Sequence, residues 1–162
     1  MFGLLARTGV PYVMMHIQGT PQTMQANPVY ADVVREVGDF FRERIAALNG
    51  QGFDNIILDP GFGFGKTLAH NYELMNGMDT YRKLDYPLLV GISRKSMIYK
   101  LLGGTPEEAL NGTTVLNTLA LLKGANILRV HDVKAAVEVV RLVGLTTSPT
   151  RDASSATKQS RR

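Results

Sequence analysis

Residues 87–96 read Pro87-Leu88-Leu89-Val90-Gly91-Ile92-Ser93-Arg94-Lys95-Ser96. The apolar run is unbroken, as in a parallel strand covered on both faces, and predicts a strand over Pro87–Ile92. It passes directly into a helix over Arg94–Leu102, with Met97, Ile98, Leu101 and Leu102 on one face. A buried strand that ends in a polar, cationic turn and then a helix is one β/α unit.

The same unit recurs on both sides. Tyr12–His16 and Asn55–Asp59 are short apolar runs bounded by turn residues. Ala31–Leu48 repeats apolar residues every three or four positions and predicts a helix. Asn71–Tyr81 reads as another helix. Thr105-Pro106-Glu107-Glu108 has the form of a capping box with proline at the first helical position, opening a helix to about Lys123. Ile127–His131 is the fourth strand, and Asp132 can cap a last helix, Val133–Val143. One helix followed by four strand–helix units makes an α/β fold with a parallel sheet.

The chain has 162 residues, no cysteine and a net charge of +4. The length fits one domain. The lack of cysteine excludes a disulfide scaffold and thiolate chemistry. No apolar run reaches the ~20 residues of a membrane span, and the first residues lack the order of a signal peptide. These features lean towards a cytoplasmic protein without a membrane partner. The segment 146–162 is rich in Ser, Thr and Ala and carries Arg151, Lys158, Arg161 and Arg162 against Asp152. It reads as a disordered tail beyond a domain at 1–145. Most of the net charge belongs to it, so a nucleic-acid role is not expected.

In parallel α/β folds, ligands bind at the carboxyl ends of the strands. The first strand here ends on Met15 and His16. The second ends on Asp59, followed by Pro60-Gly61-Phe62-Gly63-Phe64-Gly65-Lys66. The third ends on Gly91, before Ser93, Arg94, Lys95 and Ser96, and the fourth on Arg129 and His131. Each residue also has an ordinary reading. Asp59 can cap the Asp-Pro-Gly turn, or it can accept paired N–H donors from an aminopyrimidine-like ring. His131 can be a satisfied structural histidine. Lys66 and Arg94 read as exposed charges. Lys95 lies where a helix N-terminus already favours anions, a position that suits ligand binding better than helix stability. Arg129, beside Leu128 and Val130, calls for an anionic partner.

The glycine-rich segment is neither a Walker loop nor a dinucleotide fingerprint. Gly61 and Gly65-Lys66-Thr67 are separated by one residue too few, and the glycine spacing is wrong for the second motif. It reads as a loop displaying two aromatics, with Phe64 set against a flat ligand.

The blocks Met14-Met15-His16-Ile17-Gln18-Gly19-Thr20-Pro21, Leu58-Asp59-Pro60-Gly61-Phe62-Gly63-Phe64-Gly65-Lys66, Gly91-Ile92-Ser93-Arg94-Lys95-Ser96 and Arg129-Val130-His131-Asp132 resemble the dihydropteroate synthase family in order and spacing. The resemblance runs from about Met1 to Val143. It implies a TIM (β/α)8 barrel and a transferase of folate biosynthesis that is a sulfonamide target. Such an enzyme condenses 6-hydroxymethyl-7,8-dihydropterin diphosphate with p-aminobenzoate to 7,8-dihydropteroate and pyrophosphate. Carried over, Asp59 would bond the pterin ring, and Met15, Phe64 and Gly91 would line the pocket. Lys95 would contact the pterin and the p-aminobenzoate side. Ser96 would approach the p-aminobenzoate carboxylate, and Arg129 and His131 would hold the departing diphosphate. Lys95, Arg129 and His131 are the expected catalytic residues. The resemblance also implies Mg2+ and a homodimer.

A closed barrel takes eight strands and typically ~250 residues. Four strands therefore resemble its second half, entered at the helix before the fifth strand. Met1 then reads as an internal methionine, the magnesium ligand is expected in the first half, and the isolated chain is expected to be inactive. A non-catalytic pterin-binding remnant and a pterin-dependent methyltransferase relative are the alternative functions.

Overall fold

Four short strands run in one direction, each followed by helix. The computed structural model describes residues 2–20, 22–24 and 26–147. The order is α1 (Phe2–Thr8), β1 (Tyr12–Met15), α2 (Val33–Asn49), β2 (Ile56–Asp59), α3 (Leu68–Gly77), a 3-10 helix (Met78–Leu84), β3 (Leu89–Val90), α4 (Ser96–Leu102), α5 (Leu110–Leu122), β4 (Ile127–Leu128) and α6 (Val133–Thr147). β1 pairs with β2 and β3 with β4, both parallel. A parallel bridge between Leu58 and Leu88 joins the pairs, so the spatial order is β1-β2-β3-β4. These are four β/α units of a barrel wall.

Successive strand side chains point to opposite faces. Met14, Leu58 and Val90 face the helices and are 1% exposed or less. There they join Val37, Phe41, Leu74 and Ile98 in one core. Val13, paired with Ile57, and Ile127, paired with Leu89, face the other way. Val13 and Ile127 are 42% and 37% exposed on this inner, concave face. Two residues on, along the same face, come Met15, Asp59, Gly91 and Arg129. Strand parity therefore puts these four on the inner rim.

Several boundaries differ from the sequence reading, each for a local reason. α2 starts two residues late because Asp32 is its cap, accepting the Arg35 N–H at 2.9 Å. Glu36 takes the N–H groups of Ala31 and Asp32, which holds both outside the helix. α3 starts at Leu68 rather than Asn71, because Thr67 and His70 form a reciprocal capping box. It stops at Gly77, where a Cβ would lie 2.7 Å from the Val34 methyls, and tightens into the 3-10 helix. The Thr105 box is half made: Glu108 accepts the Thr105 N–H, but residues 105–109 form turns and α5 begins at Leu110. Asp132 does not spend its carboxylate on α6, since Arg94 takes both oxygens, at 3.0 and 2.6 Å.

β3 and β4 are shorter than expected, although the Arg129 N–H still reaches the Val90 carbonyl at 2.9 Å. α6 continues through Thr146 and Thr147, two residues into the expected tail. The rest of that tail, 148–162, lies outside the described residues. Among the described residues, no helix is long and apolar enough to cross a membrane.

Candidate functional site

The loop after β2 shapes one side of the rim. Gly61 and Gly65 hold φ of +69° and +63°, which suits glycine. The loop also lies against the chain leaving β1. A Cβ on Gly61 would sit 1.9 Å from the His16 carbonyl oxygen, and one on Gly65 2.4 Å from that of Gln18. Of the two aromatics, Phe62 is buried in the core and only Phe64 is presented at the surface. The expectation of two displayed rings is corrected to one.

Asp59 is 2% exposed. Its Oδ1 accepts the Gly61 N–H at 2.8 Å, so the turn-cap reading holds. One bond uses only part of a carboxylate's accepting capacity, and the ligand reading stands beside it. Burial raises its pKa, while the Gly61 N–H and the charges of Arg129, Lys95 and Lys66 pull it back.

Lys95 is the cap residue before α4 and reaches back across the rim. Its Nζ donates to the Phe62 carbonyl and stands 4.5 Å from the centre of the Phe64 ring, a cation–π contact. Burial pulls its pKa down to about 8. Asp59 opposes that shift and Arg129 adds to it. Ser96, the first residue of α4, is half-buried beside it.

Arg129 and His131 are exposed on the segment leaving β4. The Arg129 guanidinium occupies the space over Gly91: a Cβ there would lie 2.7 Å from its Nη2. Ser93 Oγ accepts the His131 N–H at 3.1 Å and also lies 3.1 Å from His131 Nδ1. Together with Val130, these residues line a cavity of about 290 Å3. Larger clefts of about 590 and 720 Å3 lie at the other strand ends, around Tyr86 and Pro87. The barrel rule and the converging cations favour the smaller one.

The rim expected from the strand ends is therefore smaller than it first appears. Met15, Asp59, Phe64, Gly91, Lys95, Ser96, Arg129 and His131 gather on or beside the inner rim. His16 instead turns to the helix side, where its ring meets Phe40 edge-on at 5.1 Å. Burial and the Lys66 charge lower its pKa to about 4.

Lys66 also lies behind the rim and is 3% exposed, which corrects its reading as an exposed charge. Its Nζ meets His16 Nδ1 at 3.0 Å and donates to the carbonyls of Gly61 and Phe64 at 3.1 Å each. Arg94 is tied to Asp132. Ser93 received no individual role from the sequence, although it orders the histidine. Its only signal was its place two residues beyond the strand-end Gly91.

The remaining set suits two kinds of ligand group. A buried carboxylate can accept paired N–H donors from a flat heterocycle. The lysine, arginine and histidine from the next two β/α units can hold a multiply charged anion. Among the described residues, no three His, Asp or Glu side chains come together as a metal-ligand set.

Known proteins are similar to this chain in sequence and fold. The dihydropteroate synthase of Escherichia coli strain K12 is 48% identical over 145 residues, covering 88% of this chain and 51% of that protein. The crystal structure of the Yersinia pestis dihydropteroate synthase with a sulfonamide drug complex superposes with a TM-score of 0.88 at 41% identity. It covers 91% of this chain and 55% of that one. The Xanthomonas albilineans dihydropteroate synthase in complex with 7,8-dihydropteroate gives a TM-score of 0.82 at 38% identity, with the same coverage. The chain thus spans about half the length of the relatives it matches. The family model described as "Pterin binding enzyme" matches residues 1–131, which include every strand and the whole rim. By its rim, its β/α wall and this match, the chain belongs to the pterin binding enzyme family.

Proposed function

We propose that this chain supplies the substrate-holding second half of a dihydropteroate synthase barrel. The observation that carries the reading is one rim with Asp59 on one side and Lys95, Arg129 and His131 on the other. Asp59 takes the N–H edge of the pterin ring, and Met15, Phe64 and Gly91 shape the slot for it. The bond between the pterin methylene and the diphosphate oxygen breaks, and the diphosphate leaves with the electron pair. Arg129, His131 and Lys95 stabilise that negative charge. The aniline nitrogen of p-aminobenzoate attacks the methylene and then loses a proton. Ser96, at the start of α4, takes the p-aminobenzoate carboxylate in this reading. The products are 7,8-dihydropteroate and pyrophosphate. Sulfonamides compete for the p-aminobenzoate side.

Magnesium belongs to the proposal as a companion of the diphosphate. The described residues offer it no ligand set, so no step is routed through it. The same reading takes residues 1–145 as the pterin-binding unit and the cytoplasm as its site of action. A homodimer is part of the same reading. α5 leaves Val115, Leu119 and Leu122 exposed, and α6 leaves Val133, Val137 and Val140, a surface of interface character. Sedimentation of the chain against Val137→Asp tests this, a shift towards monomer being expected.

Calorimetry with 6-hydroxymethylpterin and with pyrophosphate tests the site. Binding of both is expected, with Asp59→Asn weakening only the pterin and Arg129→Met only the pyrophosphate. A folded chain that binds neither overturns the reading. An assay of dihydropteroate formation by the chain alone is expected to read zero.

A further inference from the structure

Lys66 is the most deeply buried cation of the described chain, and no step above uses it. Its three partners come from two segments. Gly61 O and Phe64 O belong to the loop after β2, and His16 Nδ1 to the end of β1. An ammonium donates to all three; a neutral amine keeps both carbonyls and accepts from an Nδ1–H of the other histidine tautomer, so either form bridges the two segments. Burial pulls Lys66 down to about 7, with Asp59 opposing the shift and Lys95 adding to it. When Lys66 is the ammonium, His16 accepts on Nδ1 and carries its own proton on Nε2.

The two carbonyls belong to the turn that builds the pocket. The Phe64 N–H closes that turn onto the Gly61 carbonyl at 3.0 Å, and the Gly61 N–H is the donor to Asp59. Lys66 thus grips the carbonyls of the two residues, Gly61 and Phe64, whose own N–H groups bond Asp59 and close the turn. The loop has other ties that let it fold without this one. Asn71 Oδ1 accepts the Gly63 N–H at 2.7 Å, and the Tyr30 hydroxyl donates to the Gly65 carbonyl at 2.8 Å.

We propose that Lys66 is a positioning residue of the pterin pocket: from the helix side, its side-chain amine pins the Gly61–Phe64 turn to the end of β1 and so sets Asp59 and Phe64 on the inner face. This rests on the pterin reading above. When protonated, Lys66 adds to the larger effects of Arg129 and Lys95 in holding Asp59 ionised against its burial.

The test uses the whole chain and two readouts. The first is amide hydrogen exchange of Gly61 and Phe64 without ligand. The second is the affinity for 6-hydroxymethylpterin, read by its fluorescence. Lys66→Met is expected to raise exchange at both amides and weaken pterin binding, each by about tenfold, because the Phe64 carbonyl loses the Lys66 donor and the Gly61 carbonyl keeps only the Phe64 N–H. The chain has no cysteine, so Lys66→Cys can be aminoethylated at that one position to restore an amine of lysine length. This form is expected to return within about threefold of the parent, while an ethylated control is not.

Parent-like exchange and binding in Lys66→Met overturns the proposal. So does an aminoethylated protein no better than the ethylated one, or failure of every variant to fold, which would make the amine a general requirement of the fold. A parent chain that binds no pterin, yet shows the exchange response, removes the pterin reading and leaves the pinned turn standing.

Discussion

Gly91 and Arg129 share one space: a Cβ at position 91 would lie 2.7 Å from Arg129 Nη2 and 2.8 Å from its Nε. The absence of a side chain on β3's exit is what lets the guanidinium from β4 lie across the inner rim. Arg129 is exposed, so its side chain can swing away without unpacking the core. Gly91→Ala is therefore expected to keep the thermal midpoint within a few degrees. It should weaken pyrophosphate binding about tenfold, the scale of one charge-assisted contact. Calorimetry checks this, and an unchanged affinity would separate Arg129 from the anion.

Gly61 differs because its neighbour is backbone. A methyl there would lie 1.9 Å from the His16 carbonyl oxygen, at φ +69°. Gly61→Ala should cost roughly 3 kcal/mol or more, combining left-handed strain with a clash that no rotamer relieves. Gly52→Ala, at φ +75° in open space, is the control and should cost only about 1–2 kcal/mol. Urea midpoints of the two variants decide the point, equal losses being the contrary result.

Lys95 is drawn down to about 8, first by burial and then by Arg129, with Asp59 opposing. Its ammonium is present below that pH and lost above it. Sulfate keeps a constant charge across this range and is the appropriate probe. Its affinity should fall through pH 8–9 as the Lys95 ammonium is lost. Lys95→Arg should remove the fall, since arginine stays protonated there. A pH-independent sulfate affinity in the parent chain would count against Lys95 as an anion ligand.

His16 makes acid unfolding steeper. Its folded pKa is near 4 against an ordinary 6.5. Between those values the unfolded chain holds more protons, so stability is present above pH 6.5 and drains as pH falls towards 4. The slope approaches ~1.4 kcal/mol per pH unit. Asp59 acts in the opposite sense, because its raised pKa makes the folded state the better proton binder in acid. The difference between His16→Asn and the parent isolates the histidine. Denaturation midpoints at pH 7, 6 and 5 should converge for the pair as pH falls, and parallel curves would exclude this role.

Much of the rim was legible because strand periodicity is two. Once the strand ends are located, Met15, Asp59, Gly91 and Arg129 fall on one face by parity alone. Lys95 was legible because a lysine before a helix is electrostatically out of place. Lys66 was not legible. It lies beyond the strand end, where periodicity stops, and nothing in Gly65-Lys66-Thr67 says that the side chain turns inward. Thr67 was missed as a cap because its partner is His70 rather than the usual Glu or Gln. Asp132 was misread because a local cap and a distant arginine compete for one carboxylate, and the bidentate pair with Arg94 won.

By itself the sequence determined four β/α units in a fixed order and the residues that end each strand. Apolar runs, helical spacing and turn residues are local properties, and they suffice for that. Tertiary structure alone decided which of those residues face the cavity and which lie behind it. His16 meets Lys66 across 50 positions, and Arg94 meets Asp132 across 38. Hydrogen-bond partners so far apart are chosen by how the β/α units pack, a choice that no local pattern encodes.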